Sequence, residues 1–214
     1  MHRHHDLPPT SYSRLSGLHR RTRLRRAATI VSEVFAPAVL VSLFLVVLAV
    51  RFAGWPAGLP SALVAVGFTT ALPVAGVITL VAWGTITDHH VSDRRQRAPI
   101  LTGTLISIAL GLALLPTIGA PQELVAGVLC TVGGVVAVLV VNLAWKLSAH
   151  SAVAVFVVVG AMGFAGGWFA ALLVVPLVVG WSRVTLAAHT PGQVLAGYVV
   201  GAVIGSAFVL AISG

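Results

Sequence analysis

Acidic residues are scarce in this chain. Its 214 residues include five carboxylates, at Asp6, Glu33, Asp88, Asp93 and Glu123. A carboxylate-bound metal centre needs several such groups close together. This scarcity disfavours metal-dependent chemistry. No cofactor is expected either.

Charge of either sign and cysteine are also rare. Only 8% of residues are charged, 58% are apolar and the mean hydropathy is +1.03, which leaves too little polar surface to cover a soluble core. We expect an integral membrane protein. The single cysteine, Cys130, cannot form an intrachain disulfide, so redox chemistry is not indicated.

The positive charge is concentrated at one end. The net charge is +8, but the arginines cluster in residues 1–26 and in one loop, where lipid headgroups would lie, so no nucleic-acid partner is expected. We predict a basic cytoplasmic tail over residues 1–30, ending in a short interfacial helix, and a membrane domain over 31–214. The tail histidines His2, His4 and His5 could bind a metal, although a disordered tail would not preorganise them.

Long apolar runs make up the rest. Runs of the roughly 20 residues needed to cross a bilayer lie at 34–53, 61–86, 100–118, 122–147 and 191–212. Residues 152–181 form either one long tilted helix or two short ones, and the sequence GFAGG at Gly163–Gly167 favours a turn. The fold class is therefore all-α, a polytopic membrane bundle of six or seven helices.

Three polar segments interrupt these runs. They read DHHVSDRRQRAP at Asp88–Pro99, KLSAHS at Lys146–Ser151 and SRVTLAAHTPGQ at Ser182–Gln193. Pairing the helices as hairpins puts all three on the side of the basic tail, which the positive-inside rule assigns to the cytoplasm. Unpaired polar groups are costly within a bilayer, so these segments are candidates for a site.

The order of these segments resembles the type 2 phosphatidic acid phosphatase superfamily, whose motifs read K-x6-R-P, P-S-G-H and S-R-x5-H-x3-D. The third matches with Ser182, Arg183 and His189. The second keeps Ser148 and His150, with Leu147 for Pro and Ala149 for Gly. In the first, His90 replaces Lys, and Ala98 separates Arg97 from Pro99.

The resemblance covers Asp88 to about Gly205 and implies a bundle like that of the vanadium haloperoxidases. It also implies a lipid phosphatase of the cell membrane that works without metal. The nucleophile would be His189, forming a phosphohistidine, and the general acid would be His150. The residues expected to bind the phosphate are Arg183, Arg97, His90, Ser148, Ala149 and Ser182. From the residues themselves, Ser148 is expected to cap a helix whose N–H groups face the anion.

Gln193 stands where the family usually has an Asp that orients the histidine. A Gln carbonyl can accept the Nδ1 proton but brings no negative charge. The resulting His-Thr-x-x-Gln pattern is similar to that of dolichyl diphosphatase-type members, which act on polyprenyl diphosphates. The resemblance thus implies a prenyl (di)phosphate substrate.

Other interpretations stay open. Thr190-Pro191-x-Gln193 is also a capping box, which could be the only role of Gln193. Arg94 and Arg95 fit topogenic anchors, His89 an interfacial residue, and His150 and His189 could be satisfied buried histidines.

Competing functions are a catalytically impaired lipid-phosphate-binding scaffold and a transporter, the latter disfavoured because no charged residue lies at mid-span.

Overall fold

Every element found in residues 11–84 and 94–214, the part that the computed structural model describes, is helical. Side chains are described for 22–84, 100 and 102–214. The α-helices are α1 Ser11–Val34, α2 Pro37–Ala53, α3 Leu59–Val66, α4 Leu72–Ala82, α5 Arg94–Leu114, α6 Gln122–Ala144, α7 Ala149–Ala165, α8 Val174–Thr185 and α9 Pro191–Ser213. The predicted all-α class is confirmed.

Five continuous helical segments in the described residues are long and apolar enough to cross a bilayer: Thr22–Ala53, Leu59–Ala82, Gln122–Ala144, Gly167–Thr185 and Pro191–Ser213. Two shorter apolar helices accompany them, Thr102–Ile118 and Ala149–Ala165. The seven predicted membrane segments correspond to these seven helices. Hydrogen bonds between the loops place the amino-terminal ends of α7 and α9 at the same end of the bundle as the carboxy-terminal end of α8.

Residues 152–181 form two helices. Helix α7 ends at Ala165, and Gly166 has φ +100°, a conformation that glycine adopts without a Cβ penalty. A 3₁₀ segment, Gly167–Leu173, then leads into α8. The turn expected from GFAGG is therefore present, and it returns the chain to the end where α7 began.

The amino-terminal segment is more ordered than expected. Helix α1 spans Ser11–Val34, so the boundary predicted at residue 30 falls inside it, and it is longer than a short interfacial helix. Ala28 and Ser32, one turn apart, are buried while α1 packs against α8. The burial of this face stabilises the carboxy-terminal half of α1, because packing stabilises a helix more than propensity does.

The core joins α2, α7 and α9 through three phenylalanines. The rings of Phe44 and Phe156 lie 5.2 Å apart and those of Phe44 and Phe208 lie 5.3 Å apart, both edge-to-face. Such pairs contribute about 0.5–1.5 kcal/mol beyond the area that they bury. They fix the centre of the bundle below the polar end.

Helix α9 approaches α7 along a glycine stripe. A Cβ on Gly197 would lie 2.6 Å from the carbonyl oxygen of Ser148, and one on Gly201 would overlap the carbonyl oxygen of Ala152. Small residues at four-residue spacing allow two membrane helices this close. The stripe therefore sets the distance between the start of α7 and the start of α9.

A π-helical segment, Gly67–Ala71, links α3 to α4 and was not predicted. Two polar contacts accompany it: the hydroxyls of Ser42 and Thr70 are 2.7 Å apart, and Ser107 donates to the Phe68 carbonyl oxygen at 2.7 Å. The wider π turn bends the ladder of backbone bonds, and interhelical hydroxyls satisfy polar groups there.

Candidate active site

The second and third polar segments meet at one end of the bundle. The Nζ of Lys146 donates to the carbonyl oxygen of Ala188 at 3.0 Å, and the backbone N–H of Ser148 donates to the carbonyl oxygen of Gln193 at 3.3 Å. The first bond joins the α6–α7 loop to the α8–α9 loop, and the second joins the start of α7 to the first turn of α9. They bring the Ser-x-His segment alongside the Ser-Arg-x5-His segment, as the hairpin pairing predicted.

Ser148 begins α7 as its N-cap. Its hydroxyl accepts from the backbone N–H of Ser151 at 3.4 Å and lies 2.9 Å from the Ser151 hydroxyl. Both serines are fully buried. The predicted cap is confirmed, and it places Ala149 and His150 in the first turn, where the helix dipole favours an anion. His150 is half-buried.

The spacing between Arg183 and His189 is set by the way α8 ends. The Arg183 carbonyl accepts from the N–H of Ala188 at 3.0 Å, and the Val184 carbonyl accepts from Ala187 at 2.9 Å. This is the Schellman pattern, in which the left-handed residue is usually glycine. Here that residue is Ala187, with φ +56°. The reversal returns the chain so that His189 also donates its backbone N–H to the Arg183 carbonyl, at 3.3 Å.

Gln193 completes a capping box at the start of α9. Thr190 accepts from the Gln193 N–H at 3.3 Å, and the Gln193 side-chain oxygen accepts from the Thr190 N–H at 3.1 Å. The capping interpretation is confirmed. The Nδ1 of His189 is buried and makes no hydrogen bond of standard geometry among the described residues, while the Gln193 side chain lies close enough to act on the ring as a hydrogen-bond partner. The orientation of His189 by Gln193 stays a prediction. The Gln193 carbonyl already serves the cap.

The charges around His189 favour its neutral form. Burial of the ring, followed by the positive charges of Arg183 and Lys146, lowers the pKa of His189 to about 4. The nearby Gln193 side chain acts in the opposite direction, favouring the charged ring. The net effect keeps this imidazole neutral at physiological pH, the state in which a ring nitrogen can act as a nucleophile.

Arg183 is held by a helix that the sequence did not associate with the site. Its NH1 donates to the hydroxyl of Ser32 on α1 at 2.7 Å. Its Nε is buried with no hydrogen-bond partner within the described ranges. A buried donor without a partner costs about 1–3 kcal/mol, so an acceptor bound here would stabilise the site.

The remaining predicted site residues either bond within their own helix or lie outside the described part of the chain. Ser182 is fully buried and its hydroxyl donates to the Val179 carbonyl oxygen at 2.7 Å, so it braces its own helix. The side chain of Arg97 and the whole of His90 lie outside the described residues, as do His2, His4, His5 and His89, and so do the side chains of Arg94 and Arg95. No cluster of three or more possible metal ligands occurs in the part that the structure describes.

Lys146 and Ser32 are the site neighbours that sequence reasoning missed. Lys146 was visible beside the Ser-x-His motif, and its conspicuous charge next to that motif was the available signal. Ser32 gave none, because a lone serine 151 positions from its arginine partner has no pattern to mark it.

Comparison with known proteins gives one match. No curated protein and no solved structure matches the chain. A family model, that of the PAP2 superfamily, matches residues 143–213. The match contains the second and third motifs and does not extend to Asp88–Pro99. Residues 143–213, within which hydrogen bonds join the two matching motifs at one end of the bundle, are thus similar to the PAP2 superfamily.

Proposed function

We propose that this protein is a membrane lipid phosphatase that releases phosphate from a lipid monophosphate or diphosphate through a phosphohistidine on His189. Members of the PAP2 superfamily are generally phosphatases. The observation that carries the proposal is the half-buried imidazole of His189, with its Nδ1 buried, close enough to the guanidinium of Arg183 for that charge to favour the neutral ring. A nucleophile that stays unprotonated next to a fixed cation suits attack on an anionic phosphoryl group.

The residues have distinct roles in this reaction. An imidazole nitrogen of His189 attacks phosphorus, and the bond from phosphorus to the lipid oxygen breaks as that oxygen takes a proton from His150. Arg183, together with Arg97 and His90 from the first segment, neutralises the phosphoryl oxygens. Water then cleaves the phosphohistidine and releases inorganic phosphate. These roles are the ones that the resemblance to the PAP2 superfamily implies, residue chemistry is compatible with each of them, and none needs a metal or cofactor.

Lys146 joins this set as an additional cation. Its charge acts on the His189 ring, and its hydrogen bond holds the loop that carries His189. Because Lys146 is exposed at the mouth of the site, it is suited to attract the anionic headgroup before Arg183 binds it.

An apolar cavity supports a lipid as the substrate. A space of about 190 Å³ lies between α2 and α4–α7, the π segment and α9. Its lining includes Ala152 on α7 and Gly201 on α9, the helices that carry His150 and Gln193. A hydrocarbon chain occupying this space would run deeper into the bundle while its phosphate stays at the polar end.

The site would lie on the cytoplasmic side of the cell membrane. A prenyl (di)phosphate would be preferred as substrate over a glycerolipid phosphate. The alternative is a scaffold that binds lipid phosphates without turnover. It is favoured by one observation, the capping box in which the Gln193 side-chain oxygen accepts from the Thr190 N–H.

Turnover by the purified protein distinguishes the two. We expect phosphate release from at least one lipid phosphate, and no release by His189→Ala with an unchanged unfolding temperature. Thr117→Ala, an exposed position at the opposite end, serves as the control and should retain full activity. Release by folded His189→Ala at the unaltered rate would reject the mechanism, and binding without release by the unaltered protein would establish the scaffold.

A further inference from the structure

The amino-terminal helix supplies a polar contact to the site. Ser32 lies on the buried face of α1, 5% exposed, and its hydroxyl oxygen accepts from NH1 of Arg183 at 2.7 Å. One turn earlier on the same face Ala28 is fully buried. Helix α1 therefore holds the Arg183 guanidinium through the hydroxyl of Ser32.

The bond to Ser32 restricts how Arg183 can present its other donors. A guanidinium carries five N–H donors in a rigid planar fork, so fixing one nitrogen fixes the direction of all of them. The Nε is buried with no hydrogen-bond partner among the residues that the structure describes. Arg183 is also close enough for its charge to act on His189. The guanidinium thus lies between α1 and the imidazole, with a donor that still needs an acceptor.

We propose that Ser32 is a positioning residue of the phosphate site, which orients the Arg183 fork so that its remaining donors bind the phosphoryl oxygens beside His189. This inference rests on the proposed function for the identity of the anion. It makes α1 a part of the site, although α1 lies outside the region that matches the family model, residues 143–213.

The chain offers a matched control. Thr29 is on the same helix, is exposed, and its hydroxyl donates to the Arg25 carbonyl oxygen of its own helix at 3.0 Å. Thr29→Ala removes a hydroxyl from α1 without touching Arg183, whereas Ser32→Ala removes the one that holds it. Ser32→Thr restores an acceptor at the same position.

The test is the affinity of the purified full-length protein for orthovanadate, a phosphate analogue, measured by direct binding for each variant. We expect Ser32→Ala to weaken binding about tenfold, Thr29→Ala to change it less than twofold and Ser32→Thr to recover most of the loss. In an Arg183→Ala background, Ser32→Ala should cause no further loss, because its effect passes through the guanidinium.

Turnover of a lipid phosphate is measured in parallel, so that the two proposals fail separately. Coupling between Ser32 and Arg183 in vanadate binding supports the positioning role even if no lipid phosphate is hydrolysed. Equal losses from Ser32→Ala with and without Arg183 would mean a general structural effect and would overturn the inference. Equal effects of Ser32→Ala and Thr29→Ala, or no vanadate binding by the unaltered protein, would overturn it too.

Discussion

Lys146 and Ala188 are joined by a hydrogen bond of 3.0 Å from the Lys146 Nζ to the Ala188 carbonyl oxygen. It connects two loops that are 42 residues apart, and Ala188 directly precedes His189. The same side chain thus holds the backbone of the candidate nucleophile and contributes positive charge to its surroundings. Both effects should be visible in the pH dependence of turnover.

Because the pKa of His189 is lowered to about 4, the imidazole is neutral from pH 7 down to about pH 5. The acidic limb of the kcat/KM profile should therefore lie near pH 4, where the ring takes up a proton. Lys146→Met removes one cause of the lowering, so the pKa should rise and the acidic limb should move to higher pH. Loss of the hydrogen bond should reduce kcat/KM about tenfold.

Arg51→Met is the control for Lys146→Met. Arg51 is exposed in the last turn of α2, at the end of the bundle opposite the site. Its removal also lowers the net charge by one but should leave the acidic limb in place. A Lys146→Met profile that is lower but not displaced would show that Lys146 acts only on the loop.

A charge introduced at position 193 should influence turnover more than the capping hydrogen bond does. Gln193→Glu keeps an acceptor of the same length for the Thr190 N–H and adds a negative charge near His189. That charge favours the imidazolium, so the acidic limb should move upward while stability is retained. Gln193→Asp should behave in the same way with a weaker cap.

Gln193→Ala separates the two roles. It removes the acceptor and should lower stability by about 0.5–2 kcal/mol, with a modest loss of turnover and no upward displacement of the limb. Equal pH profiles for the Glu and Ala variants would rule out an electrostatic role for this position.

Ala187 carries backbone strain at the end of α8. Its φ of +56° lies in the left-handed region, which costs an L-residue roughly 1–2 kcal/mol. Ala187→Gly should raise the free energy of unfolding by up to about 1 kcal/mol, whereas Ala187→Val should lower it, because a branched Cβ fits this region poorly. Thermal unfolding in detergent measures both.

The Ala187 variants also test the turn that sets the spacing from Arg183 to His189. Retained activity in Ala187→Gly together with reduced activity in Ala187→Val would tie the Schellman turn to catalysis. Stabilisation by Val would contradict the left-handed conformation.

Substrate preference separates the lipid classes. We expect faster phosphate release from C15–C55 prenyl phosphates or diphosphates than from phosphatidate or phosphatidylglycerol phosphate, because Gln193 belongs to a His-Thr-x-x-Gln pattern that resembles the polyprenyl branch. Comparison of kcat/KM over this panel measures the preference. Equal or faster release from phosphatidate would reject the prenyl assignment and leave the phosphatase assignment standing.

The orientation of the bundle can be tested with single cysteines in a Cys130→Ser background. Trp145→Cys, at the site end, should be protected from an impermeant thiol reagent in intact cells, and Ala57→Cys, at the opposite end, should react. Both positions are exposed. The reverse pattern would place the site outside the cytoplasm.

The sequence by itself determined the class of the molecule and the location of its polar end. Composition required a membrane bundle, because the chain has too little polar surface to cover a soluble core. Pairing the helices as hairpins predicted that the segments carrying Ser148, His150, Arg183 and His189 would meet. Local rules also predicted the caps at Ser148 and Thr190, since a cap depends only on residues a turn away.

Only the tertiary structure decided which contacts complete the site. Helices distant in sequence pack together to form the Ser32–Arg183 and Lys146–Ala188 bonds and to bury the Nδ1 of His189. The separation between α7 and α9 depends on how close Gly197 and Gly201 allow the helices to come. The hydrophobic periodicity of the sequence does not predict such distances, because they arise from packing between surfaces that the chain brings together only when it folds.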